Sequence, residues 1–214
     1  MKSVLLIGLG TFGQCVARKL SELNQQVMVV DKDESRVNQA MSYAANAQIG
    51  DSTDEDFLRS LSPRNFDVCI VAIGSDFQSS LETTSLLKEL GASKVVSRAL
   101  TNIHAKFLLR NGADEVVNPH QQIAEWIAIR HTSEHVLDFV EVDSDHTIFE
   151  FNLPKKWAGK SLAELDVRRR YSINILGVRR SGRLNMALSG DTILQEGESI
   201  LAIGQKEVMR QFYK

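Results

Sequence analysis

The sequence predicts an α/β protein, with a parallel β-sheet flanked by helices that is followed by a small α+β domain. Short β-branched runs alternate with helical stretches over the first 118 residues, which is the pattern of βαβ units. The runs Val27–Val30 and Val68–Ile73 are apolar on both faces and suit strands that helices cover on each side. From residue 136 onward, strand-like segments follow one another in quick succession, separated by turn sequences.

The elements of the first half follow from these patterns. Strands are expected at Ser3–Ile7, Gln26–Val30, Val68–Ile73, Lys94–Ser97 and Asp114–Val117, with a weaker one at Ala47–Ile49. Apolar residues recur at helical spacing from Phe12 to Leu23 and from Leu81 to Leu90. A further helix is expected after Pro119, because proline is tolerated in a first helical turn.

Three segments are therefore expected: a nucleotide-binding sheet domain over residues 1–118, a helical connector or hinge over 119–135, and a second domain over 136–214. Strands of the second domain are expected at Val136–Val142, Thr147–Phe151, Ile173–Val178 and Ser199–Ile203. Ser181-Gly182 and Glu196-Gly197-Glu198 have the composition of hairpin turns. Ser161-Leu162-Ala163-Glu164 has the form of a capping box that opens a short helix.

Composition and charge narrow the classes of function. The chain has 214 residues, of which 43% are apolar and 24% charged, and its net charge is -2. These values are ordinary for a soluble protein and argue against a nucleic-acid binder, which usually carries a basic excess. No apolar run approaches the roughly 18 residues that span a bilayer, and the N-terminus lacks signal-peptide features. Cys15 and Cys69 are expected to be free thiols, so a cytoplasmic location is expected.

The strongest functional signal is the motif Gly8-Leu9-Gly10-Thr11-Phe12-Gly13, which follows the first strand and opens the first helix. In a Rossmann-type sheet, Gly8 permits a tight turn, Gly10 lets a pyrophosphate approach the backbone, and Gly13 allows close packing of helix on sheet. The helix N-terminus offers unpaired N–H groups to phosphates. Asp31, at the end of the second strand, would bind the ribose hydroxyls and repel a 2′-phosphate. The motif predicts an adenine-nucleotide site.

Other candidate ligands lie at the ends of later strands, because ligands of open α/β sheets bind beyond the carboxyl ends of the strands. Asp51 is either an adenine contact or a turn or N-cap residue. Arg98 is either a phosphate ligand or a solvated surface charge. The candidate nucleotide-binding residues are Gly8, Gly10, Thr11, Phe12, Gly13, Asp31, Lys32, Asp51, Ser52, Ala72, Ile73, Gly74 and Arg98.

The chain resembles the RCK (regulator of K⁺ conductance) domain over essentially its whole length. The resemblance in the first half rests on VLLIGLGTFG, VMVVDKD, AQIGDSTDEDFL, DVCIVAIGSDFQSSLETTSLLKELGA, VVSRA and NGADEVVNP. In the second half, GKSLAELDVRRRYSINILGVRR and GDTILQEGESILAIGQ resemble the C-terminal RCK subdomain. The chain is most similar to the regulatory subunits of Trk/Ktr-type bacterial potassium uptake systems, which combine TrkA-N and TrkA-C domains.

This resemblance implies a cytosolic regulatory subunit, part of a homo-oligomeric ring built from dimers and usually octameric. The ring would dock beneath a membrane-embedded potassium-translocating subunit. ATP, ADP or NAD(H) in the Rossmann crevices would change the conformation of the ring and control K⁺ transport. The resemblance assigns nucleotide positions to Gly8, Gly10, Phe12, Gly13, Asp31, Asp51, Ile73, Gly74 and Arg98.

Two positions depart from the pattern of the family. Many ATP-responsive members have an arginine in the glycine loop, where this chain has Thr11. Many have a glutamate after the last strand's proline that helps to bind a divalent cation between subunits, where this chain has His120. These departures weaken the prediction of a conformational switch that requires ATP and a metal ion. They leave NAD(H) and ADP as stronger candidates for the bound nucleotide than is usual in the family. No metal site is expected, because such sites normally need several convergent ligands.

A second ligand is implied by the C-terminal half, which resembles a subdomain that binds cyclic di-AMP at a dimer interface in several relatives. The matching positions are Arg168 and Asn174, with Val167 and Ile173 as apolar walls. Six arginines lie within residues 168–183, and arginine suits phosphate recognition. The alternative is a solvated basic surface.

An enzyme is the main alternative to a regulatory subunit. A small NAD-dependent oxidoreductase would need a proton donor or acceptor beside the nicotinamide, and the histidines and acids of this sequence show no partnered spacing for that role. A nucleotide-sensing repressor would need a basic recognition helix, and neither end of the chain shows one. The sequence therefore predicts a regulatory protein that is not an enzyme.

Overall fold

The computed structural model describes residues 1–211 of the chain. It divides into two compact units, Met1–Gln122 and Ile123–Lys214, and the boundary falls within one helix, Pro119–Thr132. Among the described residues, no helix has both the length and the apolar character required to cross a membrane.

The first unit is built on a six-stranded sheet among the described residues. Its strands are β1 (Ser3–Ile7), β2 (Gln26–Asp31), β3 (Asn46–Ile49), β4 (Val68–Val71), β5 (Val95–Arg98) and β6 (Glu115–Val117). All of them pair in parallel, in the order β3-β2-β1-β4-β5-β6. The order reverses between β1 and β4, which is where ligands bind in a doubly wound sheet. The predicted Rossmann-type parallel sheet is confirmed.

Helices cover both faces of this sheet. They are α1 (Thr11–Glu22), α2 (Glu34–Ala40), α3 (Glu55–Ser60), α4 (Phe77–Glu89) and α5 (Asn102–Arg110). A further helix, α6 (Pro119–Thr132), follows β6 and continues into the second unit. Alternate residues of the strands enter separate cores: Leu5 and Ile7 pack in one, and Leu6 packs in the other. This two-sided burial is the reason that the strands read as continuous apolar runs. Strand β4 ends at Val71, two residues earlier than predicted, so Ala72 and Ile73 lie in the loop that follows it.

The second unit contains a five-stranded antiparallel sheet within the described residues, in the order β10-β9-β11-β8-β7. The strands are β7 (Val136–Glu141), β8 (His146–Asn152), β9 (Ile173–Arg180), β10 (Arg183–Asn185) and β11 (Ser199–Gln205), with short helices α7 (Leu162–Leu165), α8 (Val167–Tyr171) and α9 (Lys206–Arg210). Phe149, Phe151 and Trp157 are at most 2% exposed and pack in its core. The small α+β domain that the sequence predicts is confirmed.

Of the capping box and the two hairpin turns predicted in the second half, the capping box and one hairpin turn are formed. The capping box at Ser161 and Glu164 is formed in both directions. Ser181-Gly182 joins β9 to β10 with positive φ at both residues, as a two-residue hairpin requires. The hairpin prediction for Glu196-Gly197-Glu198 is wrong, because β11 follows this turn and no described strand directly precedes it. The turn is closed instead by the Glu198 carboxylate, which accepts the N–H of Gln195 at 2.7 Å.

The two cysteines are free and differ in exposure. Cys15 is exposed on α1, whereas Cys69 is buried in β4, where burial raises the pKa of its thiol to about 12. Cys69 therefore behaves as a small core residue.

We expect Glu150 to stabilise the second unit through a charged contact. Its carboxylate, 12% exposed, accepts hydrogen bonds from Arg179 at 2.7 and 2.9 Å and from the Ser199 hydroxyl. The Arg179 hydrogen bonds lower the pKa of Glu150. A folded-state pKa below the unfolded value stabilises the fold above the unfolded pKa, and this stabilisation is lost as pH falls through the folded pKa. Glu150→Gln should lower the free energy of unfolding by about 1–3 kcal/mol at neutral pH, and by less in acid.

Urea unfolding of both proteins at neutral and acid pH measures this difference. Glu141→Gln is the matched control, because Glu141 pairs with Lys206 at 2.8 Å but is 51% exposed, and such a pair contributes about 0–1 kcal/mol. A Glu150→Gln difference that stays the same at both pH values would contradict the assignment.

Candidate functional site

A cavity of about 550 Å³ opens at the carboxyl ends of strands β1 to β5 in the first unit. Its volume lies in the range of small-molecule sites. Its walls come from the loops that follow these strands and from the first turns of α2, α4 and α6. The lining residues are Ile7, Gly8, Gly10, Asp31, Lys32, Arg36, Gly50, Asp51, Ser52, Ala72, Ile73, Gly74, Ser75, Asp76, Ser79, Arg98, Leu100 and His120.

The three glycines of the motif have different physical roles. Gly8 has φ +96°, a conformation that side chains rarely adopt. A Cβ on Gly13 would lie 1.9 Å from the carbonyl oxygen of Gly8, so only glycine lets α1 approach β1 this closely. Gly10 lines the cavity, and a Cβ there would have no described atom within 4 Å. Gly10 therefore leaves open space for a ligand, whereas Gly13 is needed for packing.

The N-terminus of α1 differs from those of the helices that follow it in the first unit. Asp33, Asp54, Asp76 and Thr101 cap α2, α3, α4 and α5 through side-chain hydrogen bonds to their first turns. The N-cap of α1 is Gly10, and no described side chain caps its first turn. Because first-turn N–H groups lack partners within the helix, the N-terminus of α1 is open to an anion.

Asp31 closes the glycine loop from the end of β2. Its side chain is buried, and its carboxylate accepts the N–H of Leu9 at 2.5 Å and that of Asp33 at 2.9 Å. Arg36 lies 3.7 Å away on α2. A carboxylate has about four acceptor positions, so Asp31 can accept ribose hydroxyls in addition to these two N–H groups.

The other acids of the cavity are ionised and engaged in turns. The backbone N–H of Thr53 donates to Asp51 and lowers the pKa of Asp51. The hydroxyl of Ser79 donates to Asp76 and lowers the pKa of Asp76. Asp51 is therefore a turn residue that also lines the cavity, and the N-cap of α3 is Asp54. The hydroxyl of Ser52 lies 2.8 Å from that of Thr83 on α4, so its hydrogen bond is directed away from the cavity.

Arg98 is held at the end of β5 by three neighbours. Its guanidinium carbon lies 5.2 Å from the centre of the Phe12 ring, a cation–π geometry. It also lies against Gly74, where a Cβ would be 2.8 Å from Nη1. Its Nη2 is 3.4 Å from Nδ1 of His120. Arg98 is therefore fixed facing the cavity, and the solvated-surface alternative does not describe its environment.

The structure brings ten of the thirteen predicted nucleotide residues to the cavity wall, and leaves Thr11, Phe12 and Gly13 outside it. Phe12 supports Arg98, Gly13 packs against Gly8, and Thr11 is exposed at the start of α1. The other lining residues are not among these thirteen: Ile7, Arg36, Gly50, Ser75, Asp76, Ser79, Leu100 and His120. Arg36 could have been found from the sequence, because it lies five residues after Asp31, in the first turn of the helix that follows β2.

The residues proposed for a second ligand are arranged differently from the prediction. Arg168 and Asn174 are exposed, but Val167 and Ile173 are 7% and 0% exposed and pack in the core of the second unit. These two side chains are buried because α8 and β9 direct them inward, so they do not form surface walls. Arg179 pairs with Glu150 and Arg180 pairs with Glu198. In the part of the chain that the structure describes, no cluster of three or more His, Cys, Asp or Glu residues is arranged to hold a metal.

Comparison with known proteins gives consistent matches over the chain. Residues 4–119 match the TrkA-N domain and residues 146–214 match the TrkA-C domain. The Ktr system potassium uptake protein C of Bacillus subtilis (strain 168) is 38% identical over 213 residues, which cover 100% of this chain and 96% of that protein.

Solved structures share the fold. The GsuK channel bound to NAD superposes with a TM-score of 0.68 at 21% identity, over 100% of this chain and 39% of that chain. This chain thus spans well under half the length of the GsuK channel chain. The Shewanella denitrificans Kef CTD in AMP bound form has a TM-score of 0.52 at 27% identity, over 60% of this chain and 79% of that one.

We expect Gly13→Ala to destabilise the protein more than Gly10→Ala. A methyl group on Gly13 overlaps the Gly8 carbonyl and forces α1 away from β1, which should cost about 1–3 kcal/mol. Gly10 has φ -63°, which alanine adopts readily, and a Cβ there meets no described atom, so Gly10→Ala should cost less than about 1 kcal/mol. Urea unfolding of both variants measures the difference, and equal losses would disprove the packing role of Gly13.

Proposed function

The chain belongs to the family of proteins that combine a TrkA-N with a TrkA-C domain, and we propose that it is a cytoplasmic, nucleotide-sensing subunit that regulates potassium transport. The observation that carries this proposal is the cavity in which the open N-terminus of α1, Gly10, Asp31 and Arg98 converge. The Bacillus subtilis relative, similar over the whole chain, is a Ktr system potassium uptake protein. By analogy, the regulated partner is a membrane-embedded potassium-translocating subunit.

The bound molecule is an adenine nucleotide, either ATP or ADP or NAD(H). Its phosphates would lie at Gly10 and the first turn of α1, where N–H groups and the helix dipole favour negative charge. Its ribose would hydrogen-bond to Asp31, and Arg98 would pair with a phosphate oxygen. Support comes from related proteins, since GsuK has been solved with NAD and a Kef CTD with AMP.

The full set of proposed nucleotide residues is the one that the sequence predicts. Residues at the cavity wall would contact the nucleotide directly. Phe12 and Gly13 would act indirectly, through Arg98 and through the packing of α1. Thr11 is exposed at the start of α1 and does not line the cavity, so it would contact only a part of the ligand that extends beyond the cavity.

We propose binding rather than catalysis at this site. Asp31 holds the glycine loop, and Asp51 and Asp76 are engaged in turns with lowered pKa values. The lowered pKa values of Asp51 and Asp76 disfavour a general acid at these positions, because a general acid must be protonated at the working pH. The similar Bacillus subtilis protein is a Ktr system potassium uptake protein.

Assembly and signal transfer complete the proposal. Phe77, Ile103 and Phe107 are between 43% and 67% exposed on α4 and α5, and Ile123 and Ile127 are exposed on α6. Exposed apolar side chains of this kind suit subunit contacts, so the chain is proposed to form a homo-oligomeric ring, octameric as in the family. Residues 119–135 would act as the hinge.

We also propose cyclic di-AMP as a second ligand, bound at Arg168 and Asn174. Val167 and Ile173 would not form the apolar walls of that site.

Nucleotide binding by the purified chain is the first test. ATP, ADP, NAD⁺ and NADH are added separately, and the melting temperature is recorded, because a ligand that binds only the folded state raises stability by about 2.7 kcal/mol at one hundred times its Kd. We expect at least one nucleotide to stabilise the wild type. Gly10→Ala should weaken its binding by at least about tenfold, because the methyl group occupies the approach of the phosphates.

Gly190→Ala is the matched control, since a Cβ there lies 3.5 Å from Ala163 in the second unit, an ordinary contact. Stabilisation of wild type and Gly10→Ala to the same extent would exclude the glycine loop from the site. A wild type that none of these nucleotides stabilises would overturn the proposed nucleotide sensing.

Potassium uptake is the second test. The chain is co-expressed with the potassium-translocating subunit of its own host in a bacterial strain deficient in potassium uptake. We expect the wild type to change the rate of uptake relative to the membrane subunit alone, and Gly10→Ala to lose that effect while Gly190→Ala retains it. Equal uptake with and without the wild-type chain would disprove the regulatory role.

A further inference from the structure

We propose that Arg98 and His120 together form a phosphate-binding pair, in which both side chains contact one phosphate group of the bound nucleotide. The inference rests on the proposed function, since it places a nucleotide in the cavity, and it adds His120 as a ligand. The two residues come from different elements, Arg98 from the end of β5 and His120 from the first turn of α6. Both line the cavity, and their nitrogen atoms are 3.4 Å apart.

The charge distribution of the cavity leaves Arg98 without an acidic partner. The other cations have one nearby: Arg36 lies 3.7 Å from Asp31, and the charge of Lys32 acts on Asp51 and Asp76. Within residues 1–211, Arg98 forms no ion pair, and its Nε is buried with no hydrogen-bond partner. A guanidinium held in this way is stabilised by an anion that the protein itself does not supply.

The neighbours of Arg98 fix where that anion must lie. Phe12 packs on the guanidinium plane, and the backbone at Gly74 leaves no room for a side chain on another side. The open directions face the cavity and His120. A phosphate oxygen beside Nη2 of Arg98 would also be within reach of Nδ1 of His120, which can donate to it when the imidazole carries a proton on that atom.

A metal ion is the less suitable occupant at this place. The guanidinium of Arg98 lies 3.4 Å from Nδ1 of His120 and would repel a cation bound to that nitrogen. The described residues contain no cluster of three or more metal-ligating side chains. With a proton on Nδ1 of His120, the two adjacent nitrogens both donate, and the group that fits them at the edge of the cavity is a phosphate monoester or a pyrophosphate. The cavity therefore recognises a phosphate group through side chains at this end and through the backbone N–H groups of α1 at the glycine loop.

Titration calorimetry on the full chain tests the pair, with EDTA present so that no divalent cation takes part. Adenosine, AMP, ADP, ATP, NAD⁺ and inorganic pyrophosphate are titrated into wild type, His120→Gln and His120→Lys. His131→Gln is the matched control, because His131 is an exposed histidine on the same helix that does not line the cavity. Pyrophosphate alone distinguishes recognition of the phosphate from recognition of the whole nucleotide.

We expect His120→Gln to weaken binding of the tightest phosphorylated ligand by about tenfold, the effect of losing a charge-assisted hydrogen bond, without changing adenosine binding. His120→Lys should restore most of that affinity, because it restores a hydrogen-bond donor to the phosphate. His131→Gln should bind like the wild type. Unchanged affinities in His120→Gln, or an equal loss for adenosine, would overturn the pair.

The two proposals fail in different ways. If the wild type binds phosphorylated nucleotides and His120→Gln binds them equally well, only the phosphate pair is wrong. If the wild type binds neither nucleotides nor pyrophosphate, both proposals are wrong. If it binds pyrophosphate with dependence on His120 but no nucleotide, the two residues bind phosphate, but their assignment to a nucleotide and the proposed nucleotide sensing are both overturned.

Discussion

The close approach of Gly13 on α1 to the carbonyl of Gly8 is the contact on which the rest of the site depends. Because no Cβ intervenes, the helix lies directly against the end of β1, and its first turn reaches the carboxyl edge of the sheet. Asp31 then ties the intervening loop to β2 through the N–H of Leu9. The reversal of strand order between β1 and β4 leaves a crevice at this point. Packing between helix and strand thus creates both the cavity and the open helix end that faces it.

The caps of the surrounding helices show why this edge is suited to an anion. Asp and Thr side chains satisfy the first-turn N–H groups of α2 to α5, so those helix ends have little affinity left for a ligand. In the described part of the chain, α1 alone among these helices lacks a side-chain cap. Substituting Ser or Asp for Gly10 would cap α1 but fill the space that a phosphate needs. The absence of a cap therefore costs some helix stability and keeps a binding group available.

The fold could be predicted from the sequence because its signals are local and periodic. Two-sided apolar strands and the spacing from Gly8 to Asp31 specify the parallel sheet, and the capping box at Ser161 forms as written. The direction of individual side chains and the contacts between distant parts of the sequence were harder to predict. Val167 and Ile173 look like surface walls in sequence, yet the direction of α8 and β9 buries them. His120 joins the cavity only because the parallel order of β5 and β6 brings the start of α6 beside Arg98, and no local pattern encodes that proximity.

The position of His120 also bears on how ligand identity becomes a mechanical signal. A ligand shifts a conformational equilibrium only by its differential affinity for the two states. Gly10 and Asp31 would bind the ribose and pyrophosphate that ATP, ADP and NAD(H) share, so they contribute little to discrimination among these ligands. Under the proposed pairing, Arg98 and His120 contact a phosphate whose presence and position differ from one nucleotide to another. His120 is on the same helix as Trp126, whose indole N–H donates to Asp138 in the second unit at 3.0 Å. Under this proposal, a ligand that engages His120 would act on the helix that leads out of the first unit, whereas one that binds only at the glycine loop would not.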